Sequence, residues 1–365
     1  MIRLRIFCCL LFSLVCGPLH AETLVAVVGA MSGPYGTLGG LMRTGTAQAV
    51  RDLNDAGGVN GDTLALEVFD DTCDVEKATA IANQIAGKGV RLVVGHLCSS
   101  TSIAAAAVYA QHGVVLISPA SSNPKLTDER VGAGIFRIFS RSDQQPQVAA
   151  DYIVSHFPNG GVAIVHDGTA YGKGLADELK QHLNSAGIQE VMFDAYRVGA
   201  TDYSDLVAKL RTAEPALVYV GGTHQEAAAI VRAIRDRGIA STFMSGDALA
   251  TDEYWTLAGS AAQGTLITFP PDARKNPAAE NVVAAFREAN IEPESYVLYA
   301  YAAVQAWAQA ATAAGSPEGG PVSASLGTGT FETVLGTVSF DAKGDVSLPG
   351  FKVLEWKDGK LEDVN

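Results

Sequence analysis

The chain has 365 residues, 48% of them hydrophobic and 18% charged, which is enough apolar material for a large core divided between two lobes and excludes a disordered chain. Asp and Glu outnumber Lys and Arg by 39 to 26, a formal net charge of -13, so the basic footprint that nucleic acid or an anionic membrane would require is missing. No fixed-period repeat or low-complexity tract interrupts it.

Met1 to Ala21 begins with Arg3 and Arg5, continues through the apolar run Ile6 to Val15, and ends on Gly17, Pro18 and the small Ala21. This three-part pattern predicts a cleavable secretory signal over residues 1–21 and a mature chain from Glu22. The apolar run is about ten residues, short of the roughly 20 that span a bilayer. Nothing downstream replaces it, so no membrane insertion is expected. A lipoprotein would need a small residue directly before a cysteine, whereas Cys16 follows Val15. Cys8, Cys9 and Cys16 leave with the signal, which keeps Cys73 and Cys98. An even pair in an exported chain suggests one disulfide, with two free buried thiols as the alternative. A metal pair is disfavoured, since neither cysteine has a close second cysteine and His96 alone cannot complete a tetrahedral site.

Short β-branched runs then alternate with helical patterns: Leu24 to Val28 before Thr44 to Asn54, Leu64 to Phe69 before Val75 to Ala86, Leu92 to Val94 before Ser102 to Gln111, and Val114 to Ile117. After a polar stretch near Ser140 to Gln145 the alternation resumes. Val162 to His166 precedes Gly172 to Ala186, Glu190 to Asp194 precedes Asp202 to Thr212, and Leu217 to Val220 precedes Glu226 to Arg237, with Thr242 to Ser245 closing the series. Such βαβ alternation predicts an α/β fold of two doubly wound, Rossmann-like parallel sheets, with a ligand site outside the carboxyl ends of the strands and between the lobes. Helical patterns at Pro277 to Ala289 and Glu294 to Ala314 follow, then strand-like runs near Thr337 to Phe340 and Phe351 to Trp356. They are too few for a third domain, so the chain is expected to cross back and complete one or both sheets.

No catalytic or nucleotide motif survives scrutiny. Gly168 to Gly174 follows a strand and opens a helix, but it is one residue short of a phosphate loop and has Gly174 where a magnesium-binding hydroxyl belongs. No histidine pair has metal-ligand helical spacing, and no serine sits in a glycine-flanked elbow. His96, His166 and His224 near strand ends read as hydrogen-bonded structural histidines in preference to catalytic ones. No enzyme, metal or cofactor is expected. The strand ends carry small polar donors instead: Ser99, Ser100 and Thr101 after one strand, Ala120, Ser121 and Ser122 after the next. Hydroxyls and free N–H groups at a helix N-terminus suit a carboxylate, although helix capping explains part of the pattern. Asp247, after the strand Thr242 to Ser245, suits an ammonium; as a turn aspartate next to Gly246 it is equally consistent with the local sequence. Together the patches suit a zwitterion.

The run Val25 to Pro34, the segment Asp70 to Asp74, the segment Gly95 to Ser100, and Val165, His166, Asp167 with Tyr171 to Gly174 resemble the periplasmic leucine/isoleucine/valine-binding proteins of bacterial ABC transporters. Phe340, Asp341, Gly344, Asp345 and Leu348 to Gly350 agree with the same family. The resemblance implies a type I periplasmic binding protein fold with three hinge crossings. Lobe one would comprise 22–141 and 270–348, lobe two 142–269 and 349–365. It implies a disulfide between Cys73 and Cys98, a ligand carboxylate on Ser99, Ala120 and Ser122, a ligand contact from Tyr171, and an ammonium-binding acid at Asp247. Leu38 and Thr223 stand where relatives commonly carry an aromatic residue and a tyrosine, which reshapes the side-chain pocket; Tyr35 and Tyr296 could fill the space. The implied function is capture of an aliphatic or branched-chain amino acid, with breadth toward alanine, proline or γ-aminobutyrate. The implied partners are ABC transporter permease subunits with cytoplasmic ATPases, the implied state a monomer in the periplasm of a Gram-negative cell. The alternative is an exported sensor or binding protein for an amide, urea or an aromatic acid.

Overall fold

The computed structural model describes residues 22–364, so the expected signal segment lies outside the described residues. Lobe one opens with β1 (Glu22–Gly29), α1 (Gly36–Asp55), β2 (Thr63–Asp70), α2 (Val75–Lys88), β3 (Leu92–Gly95), α3 (Ser99–His112), β4 (Val115–Ser118), a short α4 (Lys125–Asp128) and β5 (Ile135–Arg137). The strands form one parallel sheet in the order β2-β1-β3-β4-β5. β3 and β4 are buried throughout, as four-residue apolar runs covered by helices on both faces should be. Local chemistry punctuates the elements: Asp74 caps α2 by accepting from the Lys77 N–H at 2.8 Å, and Gly89 ends it at φ 75°.

The chain then crosses to lobe two: α5 (Gln144–His156), β6 (Val162–His166), α6 (Ala170–Ser185), β7 (Met192–Ala195), α7 (Ser204–Ala213), β8 (Leu217–Gly221), α8 (His224–Asp236), β9 (Thr242–Ser245), α9 (Asp252–Ala258) and β10 (Leu266–Phe269). After α10 (Glu280–Glu288) comes α11 (Val297–Ala314), which packs along α1, followed by α12 (Gly319–Leu326) and a hairpin of β11 (Thr330–Thr333) and β12 (Gly336–Ser339). The contact between α1 and α11 is close because Gly45 offers no side chain: a Cβ there would lie 2.0 Å from the Val297 carbonyl oxygen. Finally β13 (Lys352–Lys357) and β14 (Lys360–Asp363) return to lobe two and complete a seven-stranded sheet, β14-β13-β10-β9-β8-β6-β7, antiparallel only at its last two additions. The chain thus passes between the sheets three times.

Four sequence expectations need correction. The run near Thr337 pairs with Thr330–Thr333 as a separate two-stranded hairpin instead of completing a sheet. The helix expected from Pro277 is a short 3-10 turn until Glu280, and the one expected from Glu294 starts only at Val297, after Ser295 at φ 47°. The strand expected from Glu190 starts at Met192. The two crossing segments at the edge of lobe one are knitted together by Arg137, fully buried at the end of β5, whose guanidinium donates to Asp345 Oδ1 through Nε at 2.8 Å and Nη2 at 2.6 Å. Arg137 also donates to the carbonyls of Ser121 and Asn123, and Arg141 donates to the second Asp345 oxygen at 3.0 Å.

Candidate ligand-binding site

A cavity of about 100 Å3 lies between the lobes at the carboxyl ends of their strands. At roughly 10–15 Å3 per water-sized position this admits about seven to ten non-hydrogen atoms, the size of one amino acid. Lobe one supplies Tyr35 and Leu38 from the first turns after β1, the Cys73–Cys98 disulfide that ties the loop after β2 to the start of α3, and Leu97, Ser99, Ser100 and Ala120. Ser99 and Ser100 are the first residues of α3, where backbone N–H groups have no helical acceptor and the helix dipole is positive. This corner therefore favours an anionic group. It is rigidly backed: His96 is fully buried, with Nδ1 2.6 Å from Asp71 Oδ2 and Nε2 2.9 Å from the Tyr109 hydroxyl. His96 is thus the hydrogen-bonded structural histidine the sequence pointed to.

Lobe two supplies Asp167, Thr169 and Tyr171 after β6, Thr223 after β8 and Ala248 after β9, with Tyr296 entering just before α11. Tyr171 and Tyr296 converge on Asp247. Their hydroxyls donate to its two carboxylate oxygens at 2.8 and 2.9 Å, and Gln145 Nε2 donates at 2.5 Å. Burial pushes the Asp247 carboxyl above its ordinary value while these three donors pull it back. Burial and the neighbouring Asp247 charge push both phenols well up, so each keeps its proton and gives it to Asp247. The Tyr171 oxygen also accepts from the Ala248 N–H at 3.3 Å, which leaves the remaining lone-pair capacity of the two polarised hydroxyls to accept from a ligand. The Tyr296 ring is held edge-on against Phe139 at 5.5 Å between centroids.

The structure therefore gathers Leu38, Ser99, Ser100, Ala120, Tyr171, Thr223 and Tyr296 around one cavity. It does not bring Ser121, Ser122 or Asp247 to the wall. Ser121 Oγ is spent on Ser102 at 2.5 Å and on the His96 carbonyl at 3.0 Å, a structural role. Ser122 is fully buried with an unpartnered hydroxyl. Asp247 lies fully buried behind the two tyrosines. Gln145, which braces Asp247 from 102 positions away, carried no local signal, and neither did Asp167 as a wall residue. A larger hollow of about 570 Å3 near Arg274 is self-satisfied: Arg274 pairs with Asp272 and Glu292, and Arg287 with Glu292.

Residues 23–360 match the model of the periplasmic binding protein family. The chain belongs to that family. Among curated relatives this binding protein is 43% identical over 344 residues to the Leu/Ile/Val-binding protein homolog 1 of Brucella melitensis, covering 94% of this chain and 92% of the relative. Its fold is that of a branched-chain amino acid transporter substrate binding protein from Streptococcus pneumoniae solved with isoleucine (TM-score 0.85, 24% identity, 93% and 98% of the two chains). A leucine binding protein from Thermotoga maritima is similar in the same way (TM-score 0.86, 22% identity, 94% and 98%). Members of this family are solute-binding proteins of ABC transporters that work in the periplasm or outside the cell. The binding protein's Cys73–Cys98 disulfide, expected from the sequence, forms with its Cα atoms 5.6 Å apart. Among the described residues no helix is long and apolar enough to cross a membrane, and no cluster of three or more His, Cys, Asp or Glu could hold a metal.

Proposed function

We propose that the protein captures an amino acid between its lobes in the periplasm, to which residues 1–21 would export it, and delivers it to an ABC transporter permease. The observation that carries this reading is the pairing across one amino-acid-sized cavity of a helix N-terminus bearing Ser99 and Ser100 with the Asp247–Tyr171–Tyr296 cluster. The ligand carboxylate meets the hydroxyls and N–H groups of α3. Its ammonium meets the Tyr171 and Tyr296 oxygens, with the Asp247 charge directly behind them. An aliphatic side chain then runs along Leu38, Leu97, Tyr35 and the disulfide. Because Leu38 and Thr223 are modest in size, the side-chain space accepts small as well as branched residues. The names of the curated relatives support branched-chain ligands.

Binding and closure are linked. The ligand bridges residues of both lobes, so it binds the closed arrangement better and draws the population toward it. Asn123 Nδ2, which donates to the Ala170 carbonyl at 2.7 Å, already spans the same cleft. Calorimetric titration of ligand-stripped protein should give micromolar or tighter affinity for L-leucine, L-isoleucine or L-valine, with L-alanine and L-proline ranked beside them. Ser99→Ala should weaken binding by about 1 kcal/mol, since backbone donors remain. Binding only of urea, amides or benzoate would overturn the zwitterion reading.

A further inference from the structure

The cavity has a second acidic centre that the α-carboxylate and α-ammonium leave unused. Asp167 lines the wall after β6. Its Oδ1 caps a turn, accepting from the Thr169 N–H at 2.8 Å and the Thr169 hydroxyl at 2.7 Å, while Oδ2 makes no hydrogen bond to any described residue. Behind it Glu226 is buried in the first turn of α8 and accepts only from neutral donors, the Gly199 N–H at 3.2 Å and the Thr223 hydroxyl at 3.1 Å. Among the described residues neither acid forms an ion pair with Lys, Arg or His. A half-buried and a buried carboxylate side by side without a cation are costly. Burial, with the Glu226 charge adding to it, pushes Asp167 up to about 6, and burial together with both acids raises the Tyr35 phenol.

An independent observation points to the same spot. The Tyr196 hydroxyl is buried and has no hydrogen-bond partner. A Cβ built on Gly222 would lie 1.8 Å from that hydroxyl and 3.4 Å from Asp167 Oδ2, so the two oxygens converge beside a residue with no side chain to part them. Thr223, the next residue, is small enough to leave Asp167 on the wall. The sheet order β9-β8-β6 puts the end of β6 two strands from the end of β9 and Asp247, roughly 10 Å at ordinary strand spacing. Asp167 stands on the wall of the cavity and Asp247 acts on it through Tyr171 and Tyr296, so a ligand with two amines can meet one acidic centre with each.

We propose that the cavity has a second recognition centre, built on Asp167 with Glu226 behind it and the Tyr196 hydroxyl beside it, that takes the protonated side-chain amine of a diamino monocarboxylic acid such as ornithine or lysine. This inference rests on the amino-acid reading above and widens its ligand class from aliphatic to basic side chains. It is tested by calorimetric titration of L-ornithine, L-lysine and L-leucine into the mature protein and into Asp167→Asn, which keeps an oxygen to accept from Thr169. The expected result is binding of at least one diamino acid, with its affinity relative to L-leucine falling tenfold or more in Asp167→Asn. A measurement on unaltered protein covers a variant that fails to fold: near pH 6 the diamino acid should release protons from Asp167, seen as a dependence of the heat on buffer ionisation, and L-leucine should release fewer. Binding of L-leucine without either diamino acid at millimolar concentration overturns the second centre and leaves the amino-acid reading standing. Unchanged relative affinity in Asp167→Asn, or equal proton release by both ligands, also overturns it. Binding of none of the three overturns both.

Discussion

At the residue scale, Asp247 is the side chain whose role the structure alters most. The sequence placed an acid after β9 that could meet an ammonium directly; the fold instead buries it behind Tyr171 and Tyr296. On the proposed function its charge reaches the ligand through two hydroxyls, and affinity and stability should respond to it in opposite senses. We predict that Asp247→Asn weakens amino-acid binding by about 2 kcal/mol, the worth of a charge-assisted hydrogen bond, or roughly thirtyfold. Because burial disfavours the charged carboxylate, the melting temperature of the ligand-free variant should not fall. Calorimetry and a thermal melt on the same preparation check both, and unchanged affinity contradicts the assignment. Ser99, Ser100, Tyr171 and Thr223 were legible because each sits within a few residues of a strand end that apolar runs mark plainly. Gln145 and the burial of Asp247 were not, because they depend on contacts 102 positions apart and on the return of the chain at Tyr296. Ser121 and Ser122 lie off the cavity wall, a placement the sequence does not show because a serine-rich strand end reads the same whether its hydroxyls face a cleft or the loop beneath it.

At the scale of elements, the cavity is only as well formed as the packing that holds α1, α3 and α11 against their sheet. Gly45 lets α1 approach the Val297 carbonyl, and any side chain there forces the two helices apart. Gly45→Ala should destabilise the protein by about 1–3 kcal/mol, the range for overpacking a closed interface, read as a shifted denaturation midpoint at unchanged slope. The same displacement carries Tyr296, just ahead of α11, so ligand affinity should fall with it. The disulfide acts on a second pair of elements. It closes a separation of 25 residues and fixes Cys98 immediately before Ser99, so reduction should cost about 3 kcal/mol in the chain-entropy account and weaken binding as well. Eight strands of the two sheets, β1–β4 and β6–β9, were legible in the alternation of apolar runs, whereas β5, α5 and β10 were not. The β11–β12 hairpin was misread because a four-residue strand has the same local pattern whether it joins a large sheet or only its neighbour.

At the scale of the whole molecule, charge decides how stability varies with pH. Burial is the leading cause that raises Asp167 to about 6 and Glu178 and Glu294 to about 7, against roughly 4 for such carboxyls in an unfolded chain. At these carboxyls the folded state binds protons more tightly than the unfolded state, which adds stability as pH falls from 8 to 5, while His166 and His224, held low by burial, act in the opposite sense below about pH 6.5. Relief of repulsion within a chain of formal charge -13 acts in the same direction as the carboxyls. Below about pH 4 the sign reverses, because carboxylates held low by cations, such as Asp128 beside Arg141 and Lys343, lose their pairs on protonation. The melting temperature of the ligand-free protein should accordingly be higher at pH 5 than at pH 8; a monotonic fall between them contradicts this account. On the proposed function, the whole architecture, with two sheets, three passages between them and a cavity at their facing strand ends, holds the two ends of a zwitterion between the lobes. A crystal structure of the protein with L-leucine tests that claim most directly. The account predicts the ligand in the interlobe cavity, its carboxylate within hydrogen-bond distance of Ser99 Oγ and its ammonium within reach of the Tyr171 and Tyr296 hydroxyls; a leucine bound in the hollow near Arg274, or in the cavity with its ends reversed, would contradict it.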